Sequence, residues 1–147
     1  MTVTVNLHGF SQLSQRLSRL AKEDATKAGQ VANRAGATVL RKAVVNEAPV
    51  SQKTTEGETR NRGTRTETHG KIKNNVIVRK TKSATTSTQV QNSVGVKKNA
   101  YHASFVQFGS IHNSADPFML RALQSNEQPI IDAIGRSLNK QLVRRGI

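Results

Sequence analysis

The chain contains no cysteine and no tryptophan, only five aromatic side chains in 147 residues, and nine acidic residues against twenty-three Lys and Arg. Without cysteine there are no disulfides, no thiolate metal sites and no cysteine nucleophiles. With so few aromatics, any core has to be built from aliphatic residues and alanine. The length suits a single domain, 1–147, and a domain of that size buries roughly 70% of the surface its unfolded chain exposes. At about 25 cal/mol per Å² of apolar area, so lean a core stands only narrowly above the entropy of ordering the chain. These totals suit a subunit that gains stability from its neighbours.

Long hydrophobic runs are also missing. Nowhere do eighteen apolar residues follow one another, and the opening MTVTVNLHGF has no basic leader before an apolar run. The sequence therefore predicts a soluble chain made in a cytoplasm, with no membrane contact. The scarcity of acids leaves a formal charge of +14. A field of that sign attracts polyanions over a Debye length of about 8 Å in physiological salt, so nucleic acid or an acidic protein surface is the expected neighbour.

TVTVNL places Val3, Val5 and Leu7 at period two, which predicts a short strand. From Ser11 to about Glu47 the period changes. Leu13, Leu17, Leu20, Ala21, Ala28, Val31, Ala32, Ala35, Val39 and Ala43 recur at three- and four-residue steps along one face of a long helix. Ser11 can cap its start, and Pro49 disfavours helical backbone at Ala48. Gly29 and Gly36, inside the helix, mark a bend or a close approach.

Residues 51–70 contain no aliphatic or aromatic side chain, which predicts a flexible loop. Lys53, Arg60, Arg62 and Arg65 nearly cancel Glu56, Glu58 and Glu67 there. Beyond it, Ile72, Val76 and Val78, then Val90, Val94 and Val96, alternate with polar residues around a polar turn, the pattern of an antiparallel hairpin. No acid occurs between Thr68 and Ala115, while Lys71, Lys73, Arg79, Lys80, Lys82, Lys97 and Lys98 do. The positive field concentrates on this hairpin. Asp116-Pro117 starts a helix, and a second start lies near Pro129, from which Ile130, Ile131, Ile134, Leu138 and Leu142 form a stripe. The order of elements predicts an α+β domain, its long N-terminal helix and C-terminal helices packed on a small antiparallel sheet.

Catalytic constellations do not emerge. His8, His69, His102 and His112 are scattered without metal-ligand spacing, Asp116 being the one carboxylate near the last two. There is no phosphate-cradling glycine loop, no nucleophile elbow and no carboxylate pair suited to share a pocket. The expectation is a non-enzyme without cofactor or metal. Single-strand nucleic-acid recognition would need aromatics on the sheet, and the hairpin has none.

Four of the five aromatics fall between Tyr101 and Phe118, in YHASFVQFGS and the DPFMLRAL that follows its loop. One reading sets Tyr101, Phe105, Val106 and Phe108 on a short helix against the sheet, with Gly109 turning the chain and Phe118 plugging the core. The other makes Phe108, Gly109 and the loop to Asp116 part of a subunit contact, for which aromatics are favoured anchors.

This stretch resembles the signature of the gene-ten-like tail-component family of long-tailed, lambdoid bacteriophages. Tyr101, Phe105, Val106, Phe108, Gly109, Pro117, Phe118 and Ala122 match it, as do the helix ending in Ala-Pro-Val and Gly70-Lys71-Ile72. Gln107 stands where the family commonly has glutamate, Ser110 replaces threonine, Arg121 replaces proline, and the short link between Ala-Pro-Val and Gly70 is stretched to about twenty residues. The resemblance implies a tail-completion or neck protein: a homo-oligomeric ring joining the head connector to the tail tube or terminator, in the virion after assembly in the host cytoplasm. It leaves room for non-specific contact with DNA in the channel. The neighbouring readings are the tail terminator of the same joint and a small basic nucleic-acid-binding protein.

Overall fold

The three- and four-residue spacing of the first third folds as a long helix, α1, Lys22–Glu47. A computed structural model describes residues 22–50, 59–62, 65–68, 70–82 and 89–145, so the expected strand at Val3 to Leu7 and the helix start at Ser11 lie outside the described residues. The C-terminal end is where Pro49 puts it: Ala48 N still donates to Val44 O, at 2.9 Å, and the helix stops.

The buried face of α1 is rotated from the expected one. Ala28, Ala32, Gly36, Leu40, Val44 and Ala48 follow one another at four-residue steps and are all buried, flanked by Ala37 and Ala43. Val31, expected inside, is exposed, and Ala35 and Val39 are half-buried. Small apolar residues surround the helix on nearly all sides, so periodicity alone leaves its phase open and packing decides it.

Within 51–70, expected to be an irregular loop, β1 (Thr59–Arg62) pairs antiparallel with β2 (Arg65–Thr68), Thr59 opposite Thr68 and Arg60 opposite Glu67. Threonine favours extended backbone, and a ladder satisfies backbone groups without burying any apolar side chain. Apolar periodicity, the usual sequence signal for a strand, is absent from this hairpin.

Ile72, expected on a strand, lies instead on α2, the single turn Ile72–Asn75. Asn75 Nδ2 donates to Lys71 O at 2.8 Å, a local bond that competes with extended backbone. The strands proper are β3 (Val76–Lys80) and β4 (Asn92–Val96), so Val90 precedes its expected strand. Hydrogen bonds from Thr81 N to Gln91 O and from Lys97 N to Asn75 O flank the pair and make it antiparallel. After a 3-10 turn, Lys98–Ala100, come α3 (Ala103–Phe108), α4 (Phe118–Ser125) and α5 (Glu127–Arg144). Pro129 sits in the first turn of α5, where its missing amide costs no helical bond. The fold is α+β.

The chain divides into two compact units. One comprises Leu40–Ile77 and Val94–Asn126, and its core is Leu40, Val44, Ile72, Val76, Val94 and Ala100, closed by Phe118, Met119 and Ala122. In the other, the earlier part of α1 and residues 78–93 join α5. There Ile130, Ile134, Leu138 and Leu142 are buried, while Ile131, expected with them, is exposed. A Cβ on Gly36 would lie 2.5 Å from Ile134 Cγ1, so the glycine marks a close approach of helix to helix. Asn33, also buried, donates from Nδ2 to Val90 O at 2.7 Å and ties the hairpin segment to α1.

Candidate functional site: an exposed aromatic stripe

On a helix as short as α3, two opposite faces can be told apart by spacing alone. Ala103 and Gln107, four residues apart, point inward and are buried. Tyr101, Phe105 and Phe108, at steps of four and three, form the other row and are 41%, 51% and 68% exposed. Of the two readings, the one that sets Tyr101, Phe105, Val106 and Phe108 against the sheet does not hold for the three rings, because alanine and glutamine take the inward positions; Val106 is half-buried. Phe118 alone of the four clustered aromatics is core, at 0% exposure. The rings of Tyr101 and Phe105 meet edge to face with centroids 6.3 Å apart.

Gly109 ends α3 with φ of +81°, in the left-handed region that glycine adopts without steric cost. A Cβ there would also press on Ala115 N at 3.0 Å and Asn113 O at 3.2 Å. The turn it opens is closed by Ser110 N donating to Asn113 O at 2.9 Å, and carries Ile111 at its tip, 95% exposed. Ile111 is thus a further exposed apolar side chain, three residues beyond Phe108. Sequence reasoning did not single it out, although an isoleucine in the polar run SIHNS was the available signal.

The return of the chain into α4 is arranged differently from the expected aspartate cap. Asp116 makes no side-chain cap; Gln107 Oε1 instead accepts from Met119 N at 3.1 Å, satisfying one of the free amides in the first turn of α4. Glutamine does this in a buried position without bringing in a charge. Asp116 turns to Arg121, whose Nη1 lies 2.8 Å from Asp116 Oδ1 while its Nε lies 2.7 Å from Glu47 Oε2. The bond to Glu47 first, and that to Asp116 second, push the Arg121 guanidinium above its ordinary pKa. Arg121 thereby fastens the end of α1 to the loop before α4. Pro117, exposed, stands one residue before that helix.

The basic residues fall into two groups. Gly70 N donates to Asn99 O and Lys97 N to Asn75 O, both at 3.0 Å, so half-buried Lys71 and Lys73 come beside exposed Lys97 and Lys98. The 3-10 turn then leads straight into the stripe, with Tyr101 N donating to Lys98 O at 3.1 Å. Arg79, Lys80 and Lys82, all exposed, belong to the other unit. Among the described residues no group of three His, Asp or Glu could hold a metal ion, and no helix is long and apolar enough to cross a membrane.

The lysines of this unit thus run directly into the row of exposed aromatics. The family model for bacteriophage HK97 gp10, a putative tail-component, matches residues 11–109. The chain belongs to this family. Two thirds of its length lie in the match, from the long helix through both hairpins to Gly109 at the end of the stripe. The Pro117-Phe118 and Ala122 part of the signature lies beyond the matched residues. This member of the HK97 gp10 family is thus a structural component of a phage tail and, as such, part of the virion. No curated protein and no solved structure matches the chain.

Proposed function

We propose that the protein is a tail-completion protein: a non-catalytic subunit that closes into a homo-oligomeric ring at the head-to-tail joint and links the connector to the tail tube. The observation that carries this reading is the exposed stripe Tyr101, Phe105, Phe108 with Ile111. A chain with five aromatics in all leaves three of them outside, on one row, although it has little else with which to build a core. Exposed aromatics anchor protein contacts, and subunits meeting head to tail bury such surface only when assembled. The chain acts in the ring as one domain. It assembles in the host cytoplasm, and its basic face meets acidic surfaces of neighbouring neck proteins or phosphates of DNA in the channel.

The test is the mass of the purified protein across concentration, by sedimentation velocity, for wild type and for Phe105→Ser with Phe108→Ser. Wild type should assemble, and the variant should stay dispersed with unchanged circular dichroism. A tail terminator of the same joint is the neighbouring reading; gold labelling inside the particle separates the connector side from the tube side. The charge of +14 favours a second reading, a basic nucleic-acid-binding protein. Tight duplex binding with a steep salt dependence, by a chain that never assembles, would decide for it.

A further inference from the structure

If copies pack side by side, the stripe must find a matching face, and charge limits the choice. Lys97 and Lys98 are exposed next to Tyr101, and no acid lies between Thr68 and Ala115. Stripe packed on stripe would set lysines against lysines, and like charges face to face are costly at an interface. The receiving surface therefore carries acid beside apolar area.

Few acids qualify among those whose side chains the structure describes. Glu47 and Asp116 are engaged by Arg121, and Asp24 is half-buried. Glu127 and Asp132, both exposed and without an ion pair among the described residues, remain; Asp132 accepts from Gln128 Nε2 at 2.9 Å. They flank Ile131, the one member of the α5 apolar stripe that is exposed. Glu127, Ile131 and Gly135 follow at four-residue steps and so form one row along the helix. Gly135 supplies an independent observation. A Cβ built there meets nothing within 4 Å, so no neighbour among the described residues requires a glycine in the middle of this helix, where glycine costs up to about 1 kcal/mol against alanine. A flat spot one turn beyond the exposed Ile131 and Asp132 is a surface against which a large ring from outside can lie.

We propose that successive copies meet through two different faces, the Tyr101, Phe105 and Phe108 stripe with Lys97 and Lys98 of one copy receiving the Glu127, Ile131, Gly135 row and Asp132 of the next. This contact rests on the ring reading and names the surfaces that build it. Such heterologous pairing leaves both faces open on a lone subunit and occupied all round a closed ring.

The experiment compares full-length variants by sedimentation velocity over a concentration series, with thermal melts followed by circular dichroism. Lys97→Glu with Lys98→Glu, and separately Glu127→Lys with Asp132→Lys, should each raise the concentration needed for assembly by about tenfold or more. All four changes together should restore assembly towards wild type. Gly135→Gln, a bulkier and better helix former, should melt no lower than wild type and fail to assemble. Assembly that survives either pair of reversals, reversals that do not restore one another in well-folded protein, or a Gly135→Gln chain that assembles normally would overturn this contact while leaving the ring reading intact. A wild-type chain that stays dispersed at every concentration would overturn the ring reading, and the contact with it.

Discussion

Two glycines inside helices should respond in opposite ways to the same methyl group. In Gly36→Ala the new Cβ would stand 2.5 Å from Ile134 Cγ1, 2.7 Å from Ile134 Cδ1 and 3.3 Å from Ile130 Cγ2. Carbon atoms are at rest about 3.5 to 4.0 Å apart, so Ile134 has to give way by roughly 1 Å. Its means of doing so are few: it is buried, and a β-branched side chain in a helix has one favoured χ1. In Gly135→Ala the methyl meets nothing within 4 Å among the described residues. Both changes gain about 1 kcal/mol of helix propensity. That gain is common to the pair and cancels in the difference, which leaves the overpacking at Gly36, about 1 to 3 kcal/mol. Gly135→Ala should therefore stabilise the monomer by about 0.5 to 1 kcal/mol, while Gly36→Ala should lose up to about 2 kcal/mol. Urea unfolding of dilute protein, followed by circular dichroism with unchanged slope, measures both. Equal shifts in the same direction would refute the close approach of α5 to α1 at Gly36.

Phe118→Ala empties the most buried aromatic site and should cost about 3 to 5 kcal/mol, read as a fall in urea midpoint. Gln107→Ala leaves Met119 N–H without its acceptor in a buried place and should cost about 1 to 3 kcal/mol in the same assay, with Gln107→Glu losing less because a carboxylate also accepts at a helix N-terminus. Gly109→Ala should cost about 1 to 3 kcal/mol through its φ of +81°, seen as faster amide exchange across residues 109–116. Arg121→Ala should lower the melting temperature in low salt and less in 1 M salt, since the two bonds it loses are exposed ionic ones.

The sites where sequence reasoning and structure part are instructive. Helix boundaries at Pro49, Pro117 and Pro129 were legible because proline acts locally, through its own ring and its missing amide. The phase of α1 was not, since alanine and glycine on nearly every side make several faces equally suitable. Asp116 was read as a cap from its position next to proline, yet Arg121, five residues on, competes for its carboxylate and Gln107, twelve residues before Met119, supplies the cap. The hairpin of β1 and β2 was missed because it rests on backbone pairing.

The aromatic cluster divides the two kinds of knowledge most clearly. Its composition, spacing and family signature could be seen in the residues, and so could the α+β class and the basic, acid-free stretch leading into it, because period and charge are properties of neighbours in sequence. Which aromatics face inward was decided by the tertiary structure. Ala103 and Gln107 take the inner face of α3 while Phe118, arriving from another helix, takes the core. A six-residue helix has too few turns to choose its own buried side, and only what it packs against can make that choice.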